Sequence, residues 1–287
     1  MSKPKVYMTK NITPAGLEAA YNALGRRAVG KVAVKISTGE PGNTHFLAPA
    51  LIGGLVKSFG GTIVECNTAY GGKRDKSEMH RQVAEDHGFT AFAEVDIMDE
   101  HGEMSLPVKN GNHLKEDVVG KSFGDYEFHV VLSHFKGHAM GGLGGALKNM
   151  SIGYASSAGK CLIHTAGRSR DSFEGGEQDP FLESMAEAAS AIADAAGDNV
   201  LYISVMNNLS VDCDCDGNPA PPCMADIGIL SSLDPVALDQ ACVDLVYAAP
   251  DSEDMIERIE TRNGLLTIEH AAALGIGSRE YELVSLD

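Results

Sequence analysis

Positive charge is scarce in this chain: 23 Lys and Arg stand against 40 Asp and Glu in 287 residues, for a formal net charge of -17. That balance repels phosphate backbones and anionic membrane surfaces, so nucleic-acid and membrane partners are not expected. Long apolar runs are missing too. No stretch approaches the roughly 20 residues that span a bilayer, and the N-terminus lacks the apolar core of a signal peptide. A cytoplasmic protein is the expectation. Cysteine is sparse and uneven, six in the whole chain, which excludes the disulfide framework of a small secreted domain. Neither an internal repeat nor a low-complexity linker is present. What these absences leave is a globular protein, one domain or two intimately joined lobes, long enough to bury a substantial core.

What is present is an alternation of element types. Lys5 to Thr9 predicts a strand, and Thr13 caps a helix that has Pro14 in its first turn and Leu17, Tyr21 and Leu24 on its buried stripe. Strands at 31–36 and 62–66 alternate with helices at about 49–59 and 76–87. This is the rhythm of an α/β fold: a mostly parallel sheet with helices on both faces. Segments 95–98 and 105–108, joined by Asp99-Glu100-His101-Gly102, predict a hairpin. The apolar run ending at Leu132 returns to the sheet, and 146–154 predicts a short helix. Residues 156–180 lack periodicity and are expected to be a long loop of the functional or disordered kind. An Ala-rich helix at 181–196 follows, then strands at 199–209 and 227–230. A helix opened by Asp234-Pro235, two more at 251–262 and 265–274, and a strand at 281–284 complete the chain.

Chemistry concentrates in Ser133 to Asn149, directly after the buried run Val130-Val131-Leu132. Open α/β sheets place their sites just past strand ends. His134, His138 and Lys148 are the candidate catalytic groups: the imidazoles as metal ligands or proton carriers, the lysine as an anion holder or, if desolvated, a base or nucleophile. The histidines are four apart, which brings them to one side if the segment is helical; the glycine run argues against a regular helix. Lys136, Gly141, Gly142, Gly144, Gly145 and Asn149 form the candidate cofactor-binding set, because glycines let the backbone approach a ligand closely.

A second cluster is Asp212-Cys213-Asp214-Cys215, followed by Cys223. Two thiolates one residue apart can converge on one metal, and a third eight residues on can close part of a tetrahedron. The fourth ligand is missing from the segment, with Cys66, Cys161, Cys242, His134 and His138 as alternatives; free surface thiols, a disulfide or a reactive thiol are the competing readings. Asp212, Asp214, Asp216 and Gly217 match half of a calcium loop, but Cys223 stands where its bidentate Glu belongs. A third segment, Asn67 to Arg74, nearly spells a phosphate loop. Asn67 replaces its first glycine and Arg74 its hydroxyl, so anion binding by Lys73 and Arg74 is the expectation, not triphosphate hydrolysis. Lys160-Cys161-Leu162-Ile163-His164 pairs a thiol with an imidazole, without a third orienting group.

The blocks Val32 to Glu40, Glu65 to Gly72, Val130 to Asn149, Asp212 to Cys215 and Asp226 to Asp239 resemble domain of unknown function 362, whose members are often labelled uncharacterised Fe-S centre proteins. The resemblance implies an iron-sulfur cluster, of the 4Fe-4S type, or another transition metal such as zinc. Relatives often carry a ferredoxin-type segment that is absent here, so a cluster would use Cys213 and Cys215 with distant partners. More locally, His138, the glycine run and Lys148 resemble nickel-pincer lactate racemase, with a slightly different spacing between the Gly pair and the Lys. That likeness implies a cofactor contact for Lys148 and proton transfer by a histidine.

Two expectations result. One is a metal- or cluster-binding protein, a metal-dependent or redox enzyme that acts on a small anionic substrate and, if redox-active, meets a redox partner. The other is a non-catalytic module that captures a small anion on Lys73, Arg74 and the glycine loops.

Overall fold

The structure, a computed structural model, describes residues 3–287. Apolar residues recur first at period two and then at helical spacing, so strand and helix alternate from the start. β1 (Lys5–Thr9) leads to α1 (Pro14–Ala23), whose cap Thr13 accepts a hydrogen bond from Gly16 N–H. β2 (Val32–Lys35), α2 (Pro49–Ser58), β3 (Thr62–Glu65), α3 (Ser77–Asp86) and β4 (Val95–Ile97) follow. Next come β5 (Glu103–Pro107), β6 (Glu116–Gly120), β7 (Phe128–His134), β8 (Lys136–His138) and β9 (Gly142–Gly144). Three helices, α4 (Ala146–Tyr154), α5 (Ser157–His164) and α6 (Gln178–Ala196), precede β10 (Val200–Met206) and β11 (Gly228–Ser232). α7 (Pro235–Ala248), α8 (Glu253–Thr261), α9 (Leu265–Ala273) and β12 (Glu282–Ser285) end the chain.

Eight strands form one sheet in the order β12-β1-β11-β10-β7-β2-β3-β4. Pairing is parallel throughout except where β11 meets β1 and β10. Each central strand divides its side chains between two cores. Val32, Val34, Val130, Leu132, Leu201 and Ile203 pack with α1 and α2 on one face. Ala33, Val131, Val200 and Tyr202 pack with α4, α6 and α7 on the other. That alternation lets one sheet carry helices on both faces.

Two expectations are corrected. Residues 95–98 and 105–108 do not form a hairpin: β4 joins the large sheet parallel to β3, and β5 pairs with β6. Val95 and Ile97 are both buried and need the main core, whereas β5 buries only Leu106. The stretch 156–180 is not one long loop either. Ser156 caps α5 by accepting from Gly159 N–H, Cys161, Leu162 and Ile163 are buried, and α6 begins at Gln178. Its glycines and serines mask a helix that is held by tertiary packing. As the glycine run implies, residues 136–144 are not helical: they form a two-stranded hairpin that pairs Lys136 with Gly144 and His138 with Gly142, so His134 and His138 do not share a helical face.

Candidate functional site

Lys35, Glu65 and His134 are the last residues of β2, β3 and β7, neighbours that run parallel, so all three emerge at one edge of the sheet. A cavity of about 530 Å³ opens there, lined also by His138, Lys148, Lys160 and the loop Asp212 to Gly217. This is the crevice beyond the carboxyl ends of strands where open α/β sheets bind ligands.

A single buried carboxylate fixes the loop. Asp214 Oδ2 lies 2.9 Å from His134 Nδ1, and its Oδ1 lies 2.9 Å from Lys136 Nζ. His134 Nε2 lies 2.7 Å from the carbonyl of Asn207, so both ring nitrogens face acceptors. Burial alone would raise the Asp214 carboxyl, but the charges of His134 and Lys136 beside it outweigh burial and hold it below the usual range. Glu40 N–H donates to the Asp214 carbonyl at 2.9 Å, and Asn43 donates to the Asp216 carbonyl at 2.9 Å. His134 and Lys136, expected as catalytic and cofactor-binding groups, are therefore occupied in positioning this loop.

Cys213 and Cys215 flank that carboxylate and are joined as a disulfide. Their sulfurs and a ring nitrogen of His138 lie within 4.8 Å of one another. His138 Nδ1 accepts from Gly141 N–H at 2.8 Å and from Met140 N–H at 3.2 Å, so the neutral ring carries its proton on Nε2. Burial, then the charges of Lys148, His164 and Arg258, push His138 well below its ordinary range and keep it neutral. Cys223 is not part of this cluster; its thiol lies 3.4 Å from the Leu209 carbonyl. Among the described residues no further His, Cys, Asp or Glu joins the group; Cys66 lines the cavity without joining it, and Cys161 and Cys242 are buried elsewhere. A four-cysteine ligand set is not assembled.

The cavity also gathers amines. Lys35 is 3% exposed and donates to the Ile36 carbonyl, and Lys160 is 8% exposed and donates to the Ala155 carbonyl. Burial pushes Lys35 down to about 8 despite Glu65 nearby. Burial, then the charges of Lys35 and Arg74, bring Lys148 down to about 8 as well. Glu65 cannot neutralise all of them, because its carboxylate also serves Thr38 N–H, Arg74 and His80. Burial opposes its ionisation, but His80, Arg74 and Lys35 hold its carboxyl far below the usual range.

The remaining predicted residues divide. Arg74 is buried and bound to Glu40 Oε1 at 2.8 Å and Glu65 Oε2 at 3.2 Å, so it is not free to take an anion. Lys73 is exposed and away from the cavity, and the backbone of this near phosphate loop closes on itself through Thr68 N–H and the Arg74 carbonyl. Asn149 donates to the Lys35 carbonyl at 3.0 Å and to Ser133 at 3.1 Å, tying α4 to two strand ends. The glycines serve mainly the fold. A Cβ on Gly145 would collide with the Asp239 carboxylate, which accepts from Ala146 and Leu147 N–H at the start of α4. Gly142 has a φ of +75° and packs against the Gly264 backbone. Gly144 and Gly145 do line the cavity, and Gly141 serves His138. Sequence reasoning missed Lys35, Glu65 and the clamp role of Asp214. The available signal was a charged residue that ends an otherwise apolar strand.

A family match covers residues 32–244, a span that holds every cavity residue named above. The chain belongs to the family described as Domain of unknown function (DUF362). No curated protein matches this DUF362 chain. Among solved structures, it is similar to the lactate racemase apoprotein from Thermoanaerobacterium thermosaccharolyticum, with 13% identity, a TM-score of 0.47, and coverage of 85% of this chain and 57% of that one. It is also similar to a protein from Thermotoga maritima, with 13% identity, a TM-score of 0.45, and coverage of 91% and 58%. The chain spans less than two thirds of either structure's length. Among the described residues no helix is long and apolar enough to cross a membrane.

Proposed function

We propose that this chain binds a transition-metal ion such as zinc on Cys213, Cys215 and His138 in their reduced state, and acts on a small anionic substrate in the adjoining cleft. The observation that carries this reading is the convergence of two sulfurs and an imidazole nitrogen within 4.8 Å on the wall of the cavity. The donor types, two thiolates and a neutral histidine with no fourth protein ligand, are a set found in zinc sites that keep one position open, and ligation would require His138 to free a ring nitrogen, either Nδ1 from the Met140 and Gly141 amides or Nε2 from its proton. Bound there, the metal would supply Lewis acidity. The chain's own contribution is orientation, since Asp214, gripped by His134 and Lys136, sets where the two sulfurs lie. Lys35, Lys148 and Lys160 supply positive charge for an anion in a chain that is otherwise strongly acidic.

Elemental analysis of reduced, zinc-loaded protein tests it. About one ion per chain is expected, falling to background in Cys213→Ser with Cys215→Ser. Reduced wild-type protein that retains no metal rules against the reading.

A second reading has its own observations. The sulfurs are bonded to each other, and His138 holds its proton on Nε2 while Nδ1 accepts from the backbone. Both favour a dithiol/disulfide pair that exchanges two electrons with a redox partner, with His138 as hydrogen-bond donor to a thiolate. Thiol labelling across a glutathione series discriminates the two: a midpoint within the cellular range with no metal bound supports the second.

A further inference from the structure

Lys148 differs from the other cations of the cavity. Arg74 is bound to Glu40 and Glu65, and Lys35 and Lys160 each donate to a main-chain carbonyl. Among the described residues none accepts a hydrogen bond from the Lys148 amine or pairs with it, yet the side chain lines the cavity. It rises from the first turn of α4 past Gly144, where a Cβ would stand 3.6 Å from its Cδ. Gly144 thus leaves the stem free along one side. An unpartnered amine in a partly buried cleft, with other positive charges close by, is the arrangement that frees a lysine to act as a nucleophile. The charges of Lys35 and Lys160 are felt at Lys148, and both residues line the same cavity, so an anionic group beside the reacting atom is accommodated there.

We infer that Lys148 forms an imine with a small 2-oxo acid, its amine attacking the ketone carbon while Lys35 and Lys160 receive the neighbouring carboxylate. The neutral amine forms a carbon–nitrogen bond. The carbonyl carbon–oxygen bond then breaks, and the two amine hydrogens leave with that oxygen as water. No oxidant or reductant is consumed. With its pKa brought down to about 8, Lys148 holds about two orders of magnitude more free amine at neutral pH than an ordinary lysine. This deepens the functional reading by naming a substrate class, and it rests on the anion-accepting cleft of that reading, not on the sulfur centre.

The test is reductive trapping. Wild-type protein is incubated with pyruvate and sodium cyanoborohydride, and the modified peptides are located by mass spectrometry. The expected result is a single major adduct on Lys148, in preference to exposed lysines such as Lys57 and Lys109 and absent in Lys148→Arg. Lys35→Met and Lys160→Met are expected to lower pyruvate capture at Lys148 by about tenfold or more beyond any fall in capture of uncharged acetaldehyde, with circular dichroism showing that the variants remain folded. Wild-type protein stripped of metal with a chelator is expected to trap pyruvate as the zinc-loaded protein does, which separates this inference from the metal reading. No adduct on Lys148, or labelling spread evenly over exposed lysines, overturns the nucleophile. Equal capture of pyruvate in Lys35→Met and Lys160→Met overturns the carboxylate site. Loss of capture on removal of metal overturns the independence from the sulfur centre.

Discussion

Asp117 on β6 is 1% exposed, and neither of its carboxyl oxygens meets a hydrogen-bond donor. Burial pushes this acid up to about 8, with only Lys160 and a neighbouring backbone amide opposing it. Unfolded, the same group titrates near 4. Between those values the folded chain keeps a proton that the unfolded chain releases, so stability falls as pH rises through about 4 to 8 and this loss is complete above 8. Asp117→Asn, neutral at every pH, should match the wild type near pH 3 and exceed it by a few kcal/mol at pH 9, as read from denaturant midpoints. A wild-type stability that does not fall across this window removes the basis for the prediction. At the same scale, Asp214→Ala should destabilise the protein by roughly 3 kcal/mol or more, because it strands Lys136 as a buried cation and leaves His134 Nδ1 without its partner. The chemistry of single residues was partly legible: the paired cysteines, His138 and Lys148 stand out by type and position. The role of Asp214 was not, because its partner His134 lies 80 residues away and local spacing carries no trace of the pair.

At the scale of elements, caps and turns did most to make the sequence readable. Thr13 before Pro14 and Asp234 before Pro235 announce α1 and α7, and both side chains cap as their type requires. Asp234 accepts from Ala237 N–H at 2.8 Å and also holds Ser278 N–H at 2.9 Å. Asp234→Ala should therefore cost about 1 kcal/mol for the cap and somewhat more for the tether, measurable as a lowered Tm. Gly145→Ala should be worse, since the added methyl meets the Asp239 carboxylate that holds the first turn of α4. A loss of roughly 2 kcal/mol or more is expected in a chemical melt, and a silent substitution would show that this junction yields. Where local signals failed, long-range packing had decided. α5 hides in a glycine- and serine-rich stretch, and β4 and β5 alternate well enough to pair with each other yet take different partners. No local pattern distinguishes those partners.

For the whole molecule, the class of fold follows from composition and rhythm, but the strand order does not. A local reading does not bring the strand after the cysteine loop, β11, between β1 and β10, antiparallel to both. That order leaves β7 beside β2 near the centre of the sheet, and the cavity forms over their ends. The net charge of -17 also conceals a local gathering of amines, because Lys35, Lys148 and Lys160 converge in one cleft, with Glu40, Glu65 and Asp214 on the same walls. Anions that enter should raise the Tm against a sodium chloride control of equal ionic strength, since ligands specific to the folded state stabilise by mass action.

The grip of His134 and Lys136 falls on the residue between the two cysteines and not on the sulfurs themselves. A reductant that opens the bond therefore leaves the backbone on either side tethered, and the freed thiols stay neighbours at a high effective molarity. Closing again needs only the removal of two electrons and two protons, with no search through chain conformations. A reagent that bridges two adjacent thiols should outcompete one that caps them singly.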